Sequence, residues 1–376
     1  MRMFACSLLC YILSLAIPVY AQDDASPQYI QFADRNWRVA AREAKVEQHM
    51  GREALLLING RVWLDDAAFE DGVIEFDVSY GDGQGFIGPM WRAENDTRFE
   101  ELYVRSHLSG KPDAVQYTPV ENNLSAWQIF SGPNASAAID HKFGEWNRVK
   151  IVVSDDRADF YFNSDEPVLH IPDLKTDISE GYIGLRASGR GGADARFSNF
   201  SVRPLNEGDG IVGVPEDPKS LPKGVIDTWQ VSKPFAEPDL QGVTTLRKSS
   251  TKNIGWQPLN AETNGIANLA RLADSVENAD TVFVRKIIRS DKDQIKEMKF
   301  GYSDRVRLYV NDELVFAGNA GWRARDYRFL GTVGFLDMIG IKLEKGENEI
   351  IAAVSETFGG WAFAGAIEDR SGIDVD

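Results

Sequence analysis

In Val73-Ile74-Glu75-Phe76-Asp77-Val78-Ser79-Tyr80 apolar and polar side chains alternate without a break. Successive side chains of an extended chain point to opposite faces. Ile74, Phe76, Val78 and Tyr80 therefore share one face, and Glu75, Asp77 and Ser79 share the other. This is the pattern of a strand buried on one side. It recurs in Arg148-Val149-Lys150-Ile151-Val152-Val153 and Ala158-Asp159-Phe160-Tyr161-Phe162, which flank the polar turn Ser154-Asp155-Asp156. Gly181-Tyr182-Ile183-Gly184-Leu185 and Arg196-Phe197-Ser198-Asn199-Phe200-Ser201-Val202 continue the series. Short alternating strands with polar turns, and no sustained helical period, indicate an antiparallel sandwich.

The later sequence reads the same way. Arg305-Val306-Arg307-Leu308-Tyr309-Val310 and Glu313-Leu314-Val315-Phe316 flank Asn311-Asp312, a two-residue hairpin signal. Lys345-Gly346-Glu347-Asn348 turns into Glu349-Ile350-Ile351-Ala352-Ala353-Val354. Only Ile266 to Leu272 suggests a helix, and Gly265 just before it weakens that reading. Between the two regions, PLNEGDGIVGVPEDPKSLPKG (204–224) is dense in proline and glycine, which stop helices and remove ladder donors. The expected chain is all-β: two antiparallel β-sandwich (jelly-roll) domains in tandem, 22–203 and 225–376, joined by a linker at 204–224. No repeat relates the halves, so the two sandwiches are expected to differ.

Residues 1–21, MRMFACSLLCYILSLAIPVYA, have Arg2, an apolar run from Met3 to Ile17, and a break at Pro18. This reads as a signal peptide cleaved after Ala21, giving a secreted or periplasmic protein. The run is short for a spanning anchor, and no later stretch is long and apolar enough to span. Cleavage would remove Cys6 and Cys10, the two cysteines of the chain, so cores alone would hold the exported protein. Of the 376 residues 43% are hydrophobic and 26% charged, which is globular rather than disordered. A net charge of −16 argues against nucleic acid or anionic lipid as a partner. The four histidines have no zinc-site spacing.

From Gly72-Val73-Ile74-Glu75-Phe76-Asp77-Val78, through Gly85-Phe86-Ile87-Gly88 and Trp146-Asn147-Arg148-Val149-Lys150, to Phe197-Ser198-Asn199-Phe200, residues of about 35–203 resemble the concanavalin A-like (laminin G-like) sandwiches. They are similar to the branch holding 3-keto-disaccharide hydrolase domains and family-16-type glycosidases. Phe300-Gly301-Tyr302-Ser303-Asp304-Arg305-Val306, Leu308-Tyr309-Val310-Asn311, Lys345-Gly346-Glu347-Asn348-Glu349 and Phe358-Gly359-Gly360-Trp361 resemble the galactose-binding-like jelly rolls over about 225–370. Both resemblances imply a carbohydrate ligand.

Retaining glycosidases of the first fold carry three alternating carboxylates on one strand. Here Glu75 and Asp77 match, but the third position is Ser79, so the pair reads as a solvated face. A denser candidate spans 91–128. In Glu101-Leu102-Tyr103-Val104-Arg105-Ser106-His107, alternation puts Glu101, Tyr103, Arg105 and His107 on one face, with Leu102 and Val104 opposite. Glu101 and His107 are the acid/base candidates if the protein is catalytic. Trp91, Arg92, Tyr103, Arg105, Gln116, Tyr117 and Trp127 are the ligand-binding candidates, with aromatic rings for a pyranose face. A second cluster is Trp322, Arg323, Arg325 and Asp326; here Arg325-Asp326 also reads as an ion pair closing a loop. No cofactor motif is present. Gly81-Asp82-Gly83-Gln84-Gly85 lacks EF-hand ligand spacing and a P-loop lysine, so it reads as a turn. The surplus of carboxylates leaves a structural calcium open without specifying ligands. The expected function is binding of polysaccharide or glycoconjugate. Glycoside hydrolase-type cleavage through Glu101, and an adhesion or scaffold role, are the alternatives.

Overall fold

The computed structural model describes residues 27–189, 194–217, 220–247, 254–276, 278–325 and 331–375. The leader expected at 1–21 lies outside them. The chain is all-β and antiparallel, in three sheets among the described residues.

The strand Gly72–Tyr80 lies between Asn147–Ser154 and Asp194–Arg203. Ile74, Phe76, Val78 and Tyr80 enter the main core with Ile151, Phe160 and Phe197, as their alternation requires. Opposite them, Asp77 pairs with Arg52 at 2.6 Å on the outer face. One long strand, Arg52–Phe69, joins the two leaves of the sandwich. Up to Ile58 it pairs with Asp194–Arg203, and from Gly60 onward with Gly181–Ser188. Leu55 and Leu57 point into the core before the junction, Val62 and Leu64 after it. The inward-facing positions thus change from odd to even at Asn59-Gly60. Asn59 has φ 47, a left-handed conformation that breaks the alternation and turns the strand from one leaf to the other. The neighbouring strand, Arg35–His49, skips Arg42 at the same level, pairing Ala41 with Gly60 and Glu43 with Ile58. Beyond Gly181–Ser188 the second leaf continues through Phe86–Asn95, Arg98–Arg105 and Val115–Glu121.

The C-terminal part packs a sheet containing Thr228–Val231, Thr281–Ser290, Gly346–Ser355, Arg305–Val310 and Glu313–Asn319 against a smaller one containing Ala362–Ala366, Gln294–Ser303 and Asp337–Leu343. Trp229, Val284, Leu308 and Ala352 from the first meet Met298, Phe300, Ile341 and Phe363 from the second. Asn311 and Asp312, at φ 49 and 73, form the hairpin turn whose twist matches its strands. The helix expected at Ile266–Leu272 does not form. Ala267–Asn268 is a short strand and Leu269–Arg271 a single 3-10 turn. The Leu269 amide donates to the Trp361 carbonyl, and the Asn268 side chain accepts from the Ala270 amide, so a neighbouring strand and a local cap claim the helical donors.

Residues 204–217 run against the N-terminal sandwich. The amides of Val212 and Gly213 donate to the buried Asp159 carboxylate at 2.7 and 2.9 Å, and the Glu216 amide to Asn134 Oδ1 at 2.8 Å. The two halves also meet directly. Ala126, Ile129 and Phe130 share an apolar cluster with Ile266, Ala362 and Ala364. Gln128 reaches across: Nε2 donates to the Gly331 carbonyl at 2.7 Å, and Oε1 accepts from the Gly360 amide at 2.8 Å and Ser303 Oγ at 3.1 Å.

A Cβ on Gly60 would sit 2.3 Å from the Ala41 Cα, whereas one on Gly81 would meet nothing within 4 Å. Gly60→Ala is expected to lower the unfolding free energy by about 3 kcal/mol, and Gly81→Ala by less than ~0.5 kcal/mol. Urea titration of the two variants checks the contrast.

Candidate functional site

The left-handed turn at Asn59 that redirects the Arg52–Phe69 strand also shapes a cleft. Asn59, Gly60, Arg61 and Trp63, with Arg186 and Ser188 from the paired strand and Asp96, Thr97 and Asn123, line an open space of about 580 Å³. Once the inward positions of this strand have become even, the odd ones, Arg61 and Trp63, face away from the core. On the adjacent Gly181–Ser188 strand Ile183, Leu185 and Ala187 are core, so Gly184, Arg186 and Ser188 take the cleft side. Gly184 is required there. A Cβ would lie 2.5 Å from the Met90 Cε and 2.6 Å from the Trp63 ring.

On the strand Arg98–Arg105, Leu102 and Val104 are core while Glu101, Tyr103 and Arg105 share the opposite face, all buried. Glu101 binds the Arg186 guanidinium through Oε1, and its Oε2 is buried with no partner. Trp63 Nε1 is likewise buried and unpartnered. Tyr103 and Arg105 form a neighbouring cluster. Arg105 binds Gln116 Oε1 and donates to the Asp113 carbonyl at 2.7 Å, and its guanidinium lies 5.1 Å from the Tyr103 ring centroid. Burial holds the Tyr103 hydroxyl above its ordinary pKa. Gln116 in turn donates to the Trp127 carbonyl at 2.8 Å, fixing the 127–130 segment. His107 lies one turn past the strand, its ring 5.8 Å from Phe86. Burial against that ring, and then the Arg105 charge, hold its imidazole below the usual value. No hydrogen bond or ion pair joins it to Glu101 among the described residues.

Three residues expected at a ligand surface serve the framework instead. Trp91 and Tyr117 are sealed in the core, their rings 6.3 Å apart, and present no face for stacking. Tyr117 donates to Glu100 at 2.7 Å. Arg92 is buried, with φ 47, and donates to the Glu70 and Asp155 carbonyls at 2.9 and 2.7 Å and to Asp71 at 3.0 Å, tying two turns together.

The reading from sequence did not include Arg61 or Arg186. Asn59-Gly60 in the middle of an apolar run is the signal for the first. For the second, the alternation of Gly181–Leu185 simply continues to Arg186.

At the junction of the halves the half-buried Trp127 ring lies 6.0 Å from Phe358, which lies 6.4 Å from Trp322. Arg323 caps Trp322 at 4.1 Å. Arg325 binds Asp337 and donates to the Tyr302 hydroxyl at 3.2 Å, so its ion pair is with Asp337. Asp326 lies outside the described residues. The Phe358 loop is held from below: Asp304 accepts from the Thr357 and Phe358 amides at 3.1 Å each. Beneath it Glu356 is buried with both carboxylate oxygens unpartnered. Burial, and then the Asp304 charge, push Glu356 up to about 8. No group of three His, Cys, Asp or Glu side chains among the described residues is placed to hold a metal ion.

Residues 36–203 match the family model of the 3-keto-alpha-glucoside-1,2-lyase-like domain, the branch that the strand motifs resemble. No curated protein matches the chain. Similar solved structures include the carbohydrate-binding module CBM66 from Bacillus subtilis, at 19% identity over 47% of this chain and 91% of that one, TM-score 0.31. A Bacillus subtilis protein of unknown function with a galectin-like fold has 15% identity over 44% and 88%, TM-score 0.34. A Bacteroides ovatus family-16 protein of a mixed-linkage glucan locus has 10% identity over 43% and 85%, TM-score 0.32.

The Glu356 shift fixes a pH dependence. Its folded pKa of about 8 exceeds the ordinary 4.5, so the folded state keeps a proton that the unfolded chain releases. Its contribution is intact below the ordinary value and is lost as pH rises through about 8. Glu356→Gln is expected to stabilise the protein by about 3 kcal/mol near pH 9 and to change little near pH 4. Denaturant melts at the two pH values measure the difference.

Proposed function

We propose that this is an exported protein whose N-terminal sandwich binds an oligosaccharide in the cleft over Arg61 and Arg186. The observation that carries the reading is the cleft lining. There Arg61, Arg186, Asp96, Thr97, Asn123 and Ser188 are among the side chains lining a space of about 580 Å³, offering both donors and acceptors. A ligand rich in hydroxyls meets both kinds at once. Asn59, Ser188 and the two guanidinium groups add donors around it. A volume of this size suits a small ligand, and the likeness of residues 36–203 to a glucoside-lyase-like domain points to sugar.

Cleavage is the second reading, favoured by the lyase-like match itself. Glu101 would then be the residue in contact with the reacting sugar, its free oxygen taking up a proton. Export through the leader ending at Ala21 accompanies either reading, and a secreted product beginning at Gln22 would bear it out.

Calorimetric titration of the protein with an oligosaccharide panel tests the site. Arg186→Ala is expected to weaken binding at least ~10-fold, because a charge-assisted hydrogen bond is lost and Glu101 is left unpaired. Arg289→Ala, in the exposed pair with Glu347, should leave binding unchanged. New reducing or unsaturated ends that vanish in Glu101→Gln would establish cleavage. A panel giving neither binding nor turnover would turn the case toward a scaffold role.

A further inference from the structure

Arg61 and Arg186 are direct cross-strand partners in the register of their two strands. Like charges directly opposite one another destabilise a sheet, and the effect grows with burial. One carboxylate serves the pair. Glu101 binds Arg186, whose Nε also donates to Ser188 Oγ at 2.7 Å. Arg61 has no carboxylate at ion-pair distance among the described residues. Its hydrogen bond goes to a neutral acceptor, the Asp96 carbonyl at 2.8 Å, and its guanidinium lies 5.3 Å from the centroid of the Phe99 ring. The Asp96 carboxylate is close by but committed elsewhere, held by both terminal nitrogens of Arg38 at 2.9 and 2.6 Å. The same Arg38 binds Asp65 at 2.7 Å. Arg38, Arg61 and Arg186 thus face Asp65, Asp96 and Glu101, but the three carboxylates are bound by Arg38 and Arg186, and Arg61 is the guanidinium of the group left without an ion-pair partner among the described residues. Burial first, and then the Arg186 charge, depress the Arg61 guanidinium from its ordinary value, while Glu101 and Asp96 partly compensate.

We infer that the cleft selects an acidic sugar, with the carboxylate of a uronic acid residue supplying the ion-pair partner that Arg61 lacks. This deepens the oligosaccharide reading and rests on it. The guanidinium fork matches a planar carboxylate bidentately, which a neutral hydroxymethyl group at the same sugar position cannot reproduce. Asn59, Thr97, Asn123 and Ser188 in the lining take the ring hydroxyls. Arg186, already neutralised by Glu101, orients. Arg61 discriminates.

The test compares oligogalacturonate, oligoglucuronate and oligomannuronate with the carboxyl-reduced form of each, by calorimetry on the full protein. The native protein is expected to bind at least one acidic oligomer ~10-fold or more tighter than its reduced counterpart. Arg61→Gln should erase that preference, so that the acidic and reduced forms bind within about twofold of each other. Arg61→Lys, which keeps the charge without the fork, should retain part of it. Since Arg61→Gln also removes the like-charge opposition, it should melt no lower than the native protein. Equal binding of acidic and reduced oligomers overturns the inference and leaves the oligosaccharide reading standing. Failure of every oligomer, neutral and acidic, overturns both. A preference that survives Arg61→Gln, or a fall of several degrees in its melting temperature without loss of preference, marks Arg61 as structural and overturns the inference.

Discussion

The left-handed turn of the backbone at Asn59, backed by the absence of a side chain at Gly60, is the constraint on which the N-terminal half depends. Without that change of phase the strand Arg52–Phe69 would keep one parity throughout, and Val62 and Leu64 would exchange places with Arg61 and Trp63. Core and cleft would swap contents. One local irregularity thus joins the two leaves, keeps leucines and valines inside on both, and delivers an arginine and a tryptophan to the outer face. The same position is closed to any larger residue by the Ala41 backbone. A feature needed for folding and a feature needed for the cleft are here the same two residues.

Much of this was legible in the sequence. Period-2 alternation identified Gly72–Tyr80, Asn147–Ser154 and Arg98–Arg105, and it placed Glu101, Tyr103 and Arg105 together opposite Leu102 and Val104. It could not say whether the polar face met solvent or lay buried. Glu101 and Arg105 are covered because partners 85 and 11 residues away along the chain satisfy them, and such pairings leave no periodic trace. Trp91 and Tyr117 were misplaced for the opposite reason. Composition suggests that aromatic rings stack on ligands, but rings of this size bury more area in a core than any other side chain. The expected helix at Ile266–Leu272 failed where tertiary hydrogen bonding outbid a local pattern.

Gln128 left no signal at all, yet it organises the junction. A single amide side chain accepts and donates across the interface, and its place explains the glycines opposite it. A Cβ on Gly359 would come within 1.8 Å of Gln128 Oε1, and one on Gly331 within 2.8 Å of its Nε2. Both glycines also have positive φ. The Phe358-Gly359-Gly360-Trp361 motif, which reads as a jelly-roll signature, is shaped here by its neighbour from the other half.

That junction bears on the order in which the chain is made. Synthesis completes Ala126, Ile129 and Phe130 long before Ile266, and Ala362 and Ala364 come later still. N-terminal units generally fold first on the ribosome. During that interval the first sandwich carries an uncovered oily seam and an unsatisfied amide at Gln128. Nascent protein would be most exposed to association through this seam until the strand Ala362–Ala366 emerges. The arrival of that strand is then also the step that makes the surface safe.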